Sequence, residues 1–408
     1  MKKKSVWLIN QYLCTPELNG DDHRHSFLAE EWIKRGYDVT LITSSFSHVP
    51  YRENKIKGLF DLRENHIRTL LIKGNKYSDS QGFSRIVSWL VFCFLLFFIP
   101  TKKIPKPDII IVSSNSLLPI LNVVYFFKKK FREAKFLLEI RDIWPLTLIE
   151  VGNFSTKNIF IRGLSWVEKL GYKKADIIVS LLEHADKHIA QILKENSFQY
   201  EWISNGYKLQ DNSYYKEIPI SIANKIPKNK FVVGYAGSLG RANAMEYIIE
   251  SFKHLDSNKF ALCLLGIGDE MKALKEQAKG FDNIIFLGKV KKSEVLSFLK
   301  KCDLLYLGVR NLNLYKFGIS MNKTFDYLYA QKPVLLSVPV KDSIVKIAEC
   351  GVEVMPEKPK VLGKEIIRFE QMNISQRLEM GEKGKIYLLD HFTYQKLAEK
   401  YIKIFNEL

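Results

Sequence analysis

The 408-residue chain is poor in cysteine. Its five thiols, Cys14, Cys93, Cys263, Cys302 and Cys350, are odd in number and far apart, and no C-x-x-C pair occurs. A disulfide framework and a zinc ribbon are disfavoured, and a reducing compartment fits best. Long apolar runs are scarce too. The prominent segment at residues 86–99, IVSWLVFCFLLFFI, has 14 residues, whereas a helix crossing a bilayer needs about 20. Lys2, Lys3 and Lys4 resemble the start of a signal peptide, but the apolar run behind them stops at Ile9, before Asn10 and Gln11, so no signal core follows. Acidic residues are in deficit: 44 stand against 62 Lys and Arg, a formal charge of +18. The chain has no G-x-G-x-x-G, no Walker G-x-x-x-x-G-K-[ST], no H-E-x-x-H and no metal-spaced cluster.

What is present is a globular composition, 47% hydrophobic and 26% charged, long enough for two or three domains. The charge asks for an anionic partner: nucleic acid, phosphorylated small molecules or a membrane face. Nearly half of the excess lies in a quarter of the chain, since residues 51–150 carry 17 Lys and Arg against 9 Asp and Glu. The apolar segment sits inside this basic stretch, with Arg85 before it and Lys102 and Lys103 after it. It reads as a helix dipping into an anionic membrane surface through Leu90, Phe94 and Phe97 without crossing it. A fully buried core helix is the structural alternative.

Short β-rich runs alternate with helical patterns from end to end. In the first half Val6–Ile9, Val39–Thr43, Ile109–Ser113, Phe136–Ile140 and Ile177–Ser180 read as strands. In the second half Phe231–Tyr235, Ala261–Leu265, Ile284–Leu287, Leu304–Leu307 and Val334–Ser337 do. Helical stretches include Phe27–Arg35, Met245–Lys253, Glu270–Lys279, Lys292–Lys300 and Lys323–Tyr329. The alternation predicts an α/β protein of two doubly wound, parallel-sheet domains, residues 1–205 and 206–386. The polar stretch Lys208–Lys230, with Pro219 and Pro227, reads as a linker. Residues 387–408 read as an amphipathic helix that packs back across the domains. Ligands of open parallel sheets bind at the carboxyl ends of strands, here in the cleft between the two domains.

Several such strand ends carry chemistry. Val232–Phe252 runs from a strand into Gly237-Ser238-Leu239-Gly240-Arg241 and then a helix. Glycines admit a phosphate to the backbone, and a helix N-terminus and Arg241 favour it. A plain glycine-tolerant turn is the competing reading. Gly266-Ile267-Gly268-Asp269 reads as a structural turn, and Gly288–Val290 closes the next strand. In Tyr315–Leu336 a loop with Gly318 leads to Asn322 as a helix cap. Lys323 stands in the first turn, where the helix dipole disfavours a cation unless an anion is bound. Asp326 lies one turn on, so a solvated Lys–Asp pair is the bland alternative. In the first half, the stretch Asn19 to His25, with Gly20, Arg24 and His25, follows the first strand. Arg141 and Asp142 stand beside Trp144 and Pro145 at another strand end, and Glu183 follows the strand ending at Ser180.

Together these segments resemble the retaining glycosyltransferases of family 4, which have the GT-B fold of two Rossmann-like domains facing across a cleft. The resemblance covers nearly the whole chain. It rests on the Gly loop followed by Arg24-His25 and Arg35-Gly36-Tyr37-Asp38-Val39-Thr40, and on Arg141-Asp142-Ile143-Trp144-Pro145. Ser204-Asn205-Gly206, Tyr235 to Arg241, and Gly318 to Leu328 complete it. The resemblance implies that Arg241 and Lys323 grip the diphosphate of a sugar nucleotide. It implies that Asp326 takes the ribose hydroxyls, that Val290 meets the base, and that Gly20, Gly237, Gly240, Gly318 and Asn322 line the donor. Arg141 and Asp142 would join Arg241 and Lys323 as catalytic residues, and Arg24, His25 and Glu183 would line the acceptor side of the cleft. No cofactor and no metal is implied.

Gly318 stands where many family members have Glu, and Arg141 where many have His. These departures point away from simple glucose or mannose transfer. The implied subgroup builds bacterial surface polysaccharide (O-antigen or capsule), often from aminodeoxy sugars. The implied partners are a UDP-linked donor and a polyprenyl-diphosphate-linked saccharide, used by a cytoplasmic enzyme held peripherally on the inner face of the plasma membrane. The first rival is a sugar-nucleotide 2-epimerase of the same fold, which needs no membrane. The second is a nucleic-acid-binding protein, against which stands the absence of any zinc finger, RNP signature or basic helix repeat.

Overall fold

A computed structural model describes residues 3–18, 24–47, 52–77, 83–114 and 116–408. The chain divides into two compact units: Met1–Asn205 with Tyr394–Leu408, and Gly206–Thr393. The first contains β1 (Ser5–Ile9), β2 (Asp38–Ser44), β3 (Phe46–Ser47), β4 (Arg52–Glu53), β5 (Phe60–Glu64), β6 (Arg68–Ile72), β7 (Ile109–Ser113), β8 (Lys135–Ile140), β9 (Ile177–Ser180) and β10 (Tyr200–Trp202). Eight of these form one sheet in the order β10-β9-β8-β7-β1-β2-β6-β5. Its neighbours run parallel except β5 with β6, while β3 and β4 form a small antiparallel hairpin. The second unit holds β11 (Phe231–Ala236), β12 (Phe260–Leu265), β13 (Ile284–Gly288), β14 (Leu304–Gly308), β15 (Val334–Ser337) and β16 (Gly351–Val354). They form a parallel sheet in the order β13-β12-β11-β14-β15-β16.

Each unit is thus a doubly wound α/β domain, and the central strands show why. Every residue of β1, β7, β11, β12 and β14 is buried, as expected for strands covered by helices on both faces. Each fully buried Leu, Ile or Phe contributes roughly 1.5–3 kcal/mol relative to exposure. Strand order reverses beside β1 and β7 in the first unit and beside β11 and β14 in the second. Those switch points open a crevice at the carboxyl strand ends.

Three expectations need correction. Lys208–Lys230 belongs wholly to the second unit, with a 3-10 turn at Asn212–Tyr214 and a short helix at Ile220–Ala223. Its buried Ile218 and Ile226 anchor it, too few apolar residues to show a period. The terminal helix does not begin at residue 387. A helix Ile374–His391 ends at buried Phe392, the second unit ends at Thr393, and a separate helix Tyr394–Glu407 starts afterwards. This last helix lies against the helix Arg24–Lys34, with Trp32 5.2 Å from both Tyr401 and Phe405. Finally, the apolar segment forms the helix Phe83–Leu96. Phe97 packs on Phe126 at 5.7 Å and is half-buried, while Phe98 is 58% exposed and takes the outer position. Among the described residues no helix is long and apolar enough to cross a membrane.

Candidate active site

The most developed site lies at the switch point of the second unit. After β11 the chain makes the turn Gly237–Gly240, a 3-10 turn Arg241–Asn243, and only then the helix Met245–Phe252. Arg241 therefore stands a turn ahead of the helix N-terminus, not upon it. Its side chain is exposed and has no partner among the described residues. Arg310, beyond β14, ties the two switch-point loops together. Its Nε donates to the Arg241 carbonyl at 2.8 Å, and its NH2 meets the Glu246 carboxylate at 2.6 Å.

Lys323 closes this turn into a ring. Its ammonium donates to the Tyr235 hydroxyl at 2.8 Å and to Asn243 Oδ1 at 2.5 Å. The Tyr235 hydroxyl and Asn243 Nδ2 both donate in turn to the Ser238 carbonyl, at 2.6 and 3.0 Å. Two of the three ammonium protons are thus used, and the third has no partner among the described residues. Burial pushes this ammonium down to about 8. A half-buried cation with no carboxylate beside it among the described residues is costly unless a charge arrives. It stands against Gly237, where an added Cβ would lie 3.4 Å from the ammonium nitrogen.

The turn Gly266–Asp269 supports this arrangement, as its structural reading holds. Leu239 N donates to the Ile267 carbonyl at 3.0 Å and Gly237 N to that of Leu265 at 2.9 Å. An added Cβ at Gly266, whose φ is +149°, would lie 1.8 Å from the Gly237 carbonyl oxygen. No other residue allows the two turns to meet.

The helix Asn322–Tyr329 corrects one expectation and removes one alternative. Met321, not Asn322, occupies the cap position, and no side chain caps the helix. Asn322 is its exposed first residue. Nor do Lys323 and Asp326 pair. Asp326 meets Lys292, at the start of the helix Lys292–Lys300, at 2.5 Å. Burial raises the Asp326 carboxyl, and Lys292 opposes that rise. Val290 is half-buried in the loop leading to Lys292. Gly318 is buried at φ +113°, where it ends a 3-10 turn.

In the first unit the expected contacts separate. Gly20 lies outside the described residues. Arg24 and His25 are buried and converge on Glu139 of β8, itself 1% exposed. Arg24 Nε meets Glu139 at 3.1 Å and His25 Nε2 meets it at 2.7 Å. Ser113 donates to the same carboxylate at 2.9 Å, and so does the Tyr401 hydroxyl. Arg24 also reaches the Ile203 and Ser204 carbonyls and the Tyr401 hydroxyl. All three of its nitrogens are occupied, so Arg24 is an interior strut and not a ligand contact. Burial alone would raise Glu139, but Arg24 and His25 hold it well below the usual carboxylate range. Burial lowers His25 despite Glu139, so it stays neutral near pH 7. Arg141 and Asp142 follow β8, with Arg141 half-buried, its Nε without a partner among the described residues, and Asp142 exposed. Glu183 is half-buried in the turn before the helix Ala185–Leu193.

Residues 218–387 match the family model described as glycosyl transferases group 1. The chain is a glycosyltransferase of the GT-B fold. Over 304 residues it is 25% identical to an uncharacterized glycosyltransferase of Methanocaldococcus jannaschii, covering 72% of this chain and 73% of that one. Among solved structures it resembles the sucrose-phosphate synthase of Thermosynechococcus elongatus, with TM-score 0.73, 14% identity and 99% of both chains covered. It also resembles Anabaena HepE, solved in complex with UDP, with TM-score 0.66, 14% identity and coverage of 99% and 100%. At these identities the likeness concerns the fold.

Several residues that support the candidate positions escape sequence reading: Tyr235, Asn243, Lys292 and Arg310 in the second unit, and Glu139 in the first. Glu139 alone carries a signal, a carboxylate inside the apolar run KFLLEI of β8. Among the described residues no group of three or more His, Cys, Asp or Glu could hold a metal.

Proposed function

We propose that the chain is a retaining glycosyltransferase of family 4. It moves a sugar, of the aminodeoxy type, from a UDP-linked donor to a polyprenyl-diphosphate-linked saccharide in bacterial surface polysaccharide assembly. Such an acceptor sets the reaction at the inner face of the plasma membrane. One observation carries the reading: the Lys323 ammonium, short of a counter-charge, held against the Gly237 turn at the switch point.

There the third ammonium proton and the Arg241 guanidinium receive the donor diphosphate. Asp326 takes the ribose hydroxyls in exchange for part of its contact with Lys292, and Val290 meets the base. Gly237, Gly240, Gly318 and Asn322 shape the backbone around the donor. Arg141, Asp142 and Glu183 are assigned to the sugar and acceptor. The acceptor hydroxyl attacks the anomeric carbon on the face that the diphosphate leaves. The C1–O bond to phosphate breaks, the C1–O bond to acceptor forms, and the departing phosphate takes the hydroxyl proton. The developing charge on the diphosphate is met by fixed cations, so the residues present suffice without a divalent ion.

The test is a panel of sugar nucleotides incubated with enzyme and a lipid-linked saccharide, read by mass spectrometry. The reading predicts an acceptor heavier by one sugar, with retained configuration and free UDP. An isomerised sugar nucleotide with no nucleotide released would establish the epimerase instead.

A further inference from the structure

The helix Phe83–Leu96 has two apolar faces, and the first unit covers one of them. Trp89, Phe92, Cys93 and Leu96 are buried. Asn122 fastens this face by donating to the Cys93 carbonyl at 2.8 Å. The opposite face presents Leu90, Phe94 and Phe98 at 53%, 62% and 58% exposure. Spaced at i, i+4 and i+8, they form one ridge, and the rings of Phe94 and Phe98 touch at 5.1 Å. A contiguous exposed ridge of this kind marks a contact surface.

Its surroundings say what it contacts. Lys130 donates to Thr101 Oγ1 at 2.7 Å. That bond draws the Lys129–Lys130 segment to the turn carrying Lys102 and Lys103, just past the ridge. All four lysines are exposed. On the other side Phe160 stacks on Trp89 at 6.1 Å. This packs the helix Ile159–Lys174 against the covered face of the helix Phe83–Leu96. The helix Ile159–Lys174 exposes Ile159 and Trp166 together with Arg162 and Lys169. Exposed Trp and Phe bordered by lysine and arginine suit the headgroup boundary of an anionic bilayer. At 1.5 Å per residue the 14-residue helix is about 21 Å long, short of the ~30 Å hydrocarbon core.

We propose that the Leu90–Phe94–Phe98 ridge inserts into the interfacial layer of an anionic lipid bilayer while the flanking lysines bind its headgroups. This deepens the reading of a lipid-linked acceptor, on which it rests, by naming the surface that brings the enzyme to it.

The full chain is floated with phosphatidylcholine vesicles and with vesicles containing phosphatidylglycerol, without donor or acceptor. It associates with the anionic vesicles, and 0.5 M salt weakens that association. Leu90→Asp/Phe94→Asp/Phe98→Asp lowers the bound fraction about tenfold or more, with an unchanged circular dichroism spectrum. Lys102→Glu/Lys103→Glu/Lys129→Glu removes the preference for anionic lipid while leaving the fold intact. Vesicle binding equal to wild type in the apolar variant overturns the proposal. So does a wild-type dimer that this variant splits, with no vesicle binding by either, because the ridge would then join two copies of the chain. No sugar is transferred in this assay, so its failure leaves the transfer reading standing. Vesicle binding without transfer would contradict only the transfer reading.

Discussion

The Lys323 ammonium donates a hydrogen bond of 2.8 Å to the Tyr235 hydroxyl and lies 4.7 Å from the centre of the same ring. Lys323 comes from the helix after β14, Tyr235 from β11, and the pair bridges the point where strand order reverses. The cation is thus held by neutral partners, a hydroxyl, an amide and a π face. It is aimed and desolvated but not neutralised.

Removing that charge is expected to be felt mainly in turnover. Lys323→Ala and Arg241→Ala each lower kcat/KM for the sugar nucleotide by roughly 10²–10³-fold, as loss of a single preorganised charge stabiliser does. Initial rates with the donor identified by the panel check this.

Tyr235→Phe keeps the ring and deletes the hydroxyl that joins Lys323 to the Ser238 carbonyl. One net hydrogen bond, about 1 kcal/mol, is lost, so UDP affinity falls roughly five- to tenfold in calorimetry. Gly266→Ala reaches the same turn from behind. Its Cβ cannot coexist with the Gly237 carbonyl, so UDP binding is lost although residue 266 is not placed against the nucleotide.

The Asp326–Lys292 pair predicts an acid limb. Burial raises the Asp326 carboxyl and Lys292 opposes it. Lys292→Ala removes the opposition, and protonation of Asp326 begins at a higher pH. UDP affinity measured from pH 7 down to pH 5 then declines earlier in the variant than in wild type. Superimposable profiles would show that Asp326 does not hold the ribose.

Glu139 governs the first unit's stability. Glu139→Ala leaves the Arg24 guanidinium buried without a counter-charge, a loss of about 3–5 kcal/mol, and the unit melts roughly 10 °C lower. The sign with pH follows from the directions. Glu139 is depressed below its usual range. Its contribution is therefore complete above about 4.5 and lost as pH falls through the folded-state value. His25 is also lowered, so protonating it below its usual value near 6.5 opposes folding in the same direction. Melting curves from pH 7 to pH 3 should show a steeper acid loss in wild type than in Glu139→Ala.

Much of the fold is legible in the sequence because buried parallel strands are continuous apolar runs. Ile109–Ser113, Ile177–Ser180 and Val334–Ser337 are read to the residue. Edge strands are not, since β5 (FDLRE) is half-exposed and polar and β10 has three residues. The candidate site residues Arg241, in a turn, and Lys323, at a helix start, stand out because a charge follows glycine or opposes a helix dipole. Their supports do not. Tyr235 and Lys292 look like ordinary strand and surface residues until the fold brings them to Lys323 and Asp326. Arg24 and His25 show the converse, since a charged pair at a helix start suggested a ligand contact and serves as an interior strut around Glu139.

The central claim is that the Lys323 ammonium receives the donor diphosphate. Its value near 8 in the free enzyme must rise when an anion binds, so the contribution of this group to affinity is complete below pH 8 and weakens above it. Titration calorimetry of UDP from pH 7 to pH 9.5, on wild type and on Lys323→Gln, tests this directly. The account predicts that wild type weakens up to about tenfold per unit above pH 8, while Lys323→Gln binds more weakly throughout and lacks that alkaline limb. Equal affinity and an identical pH profile in the two proteins would contradict it.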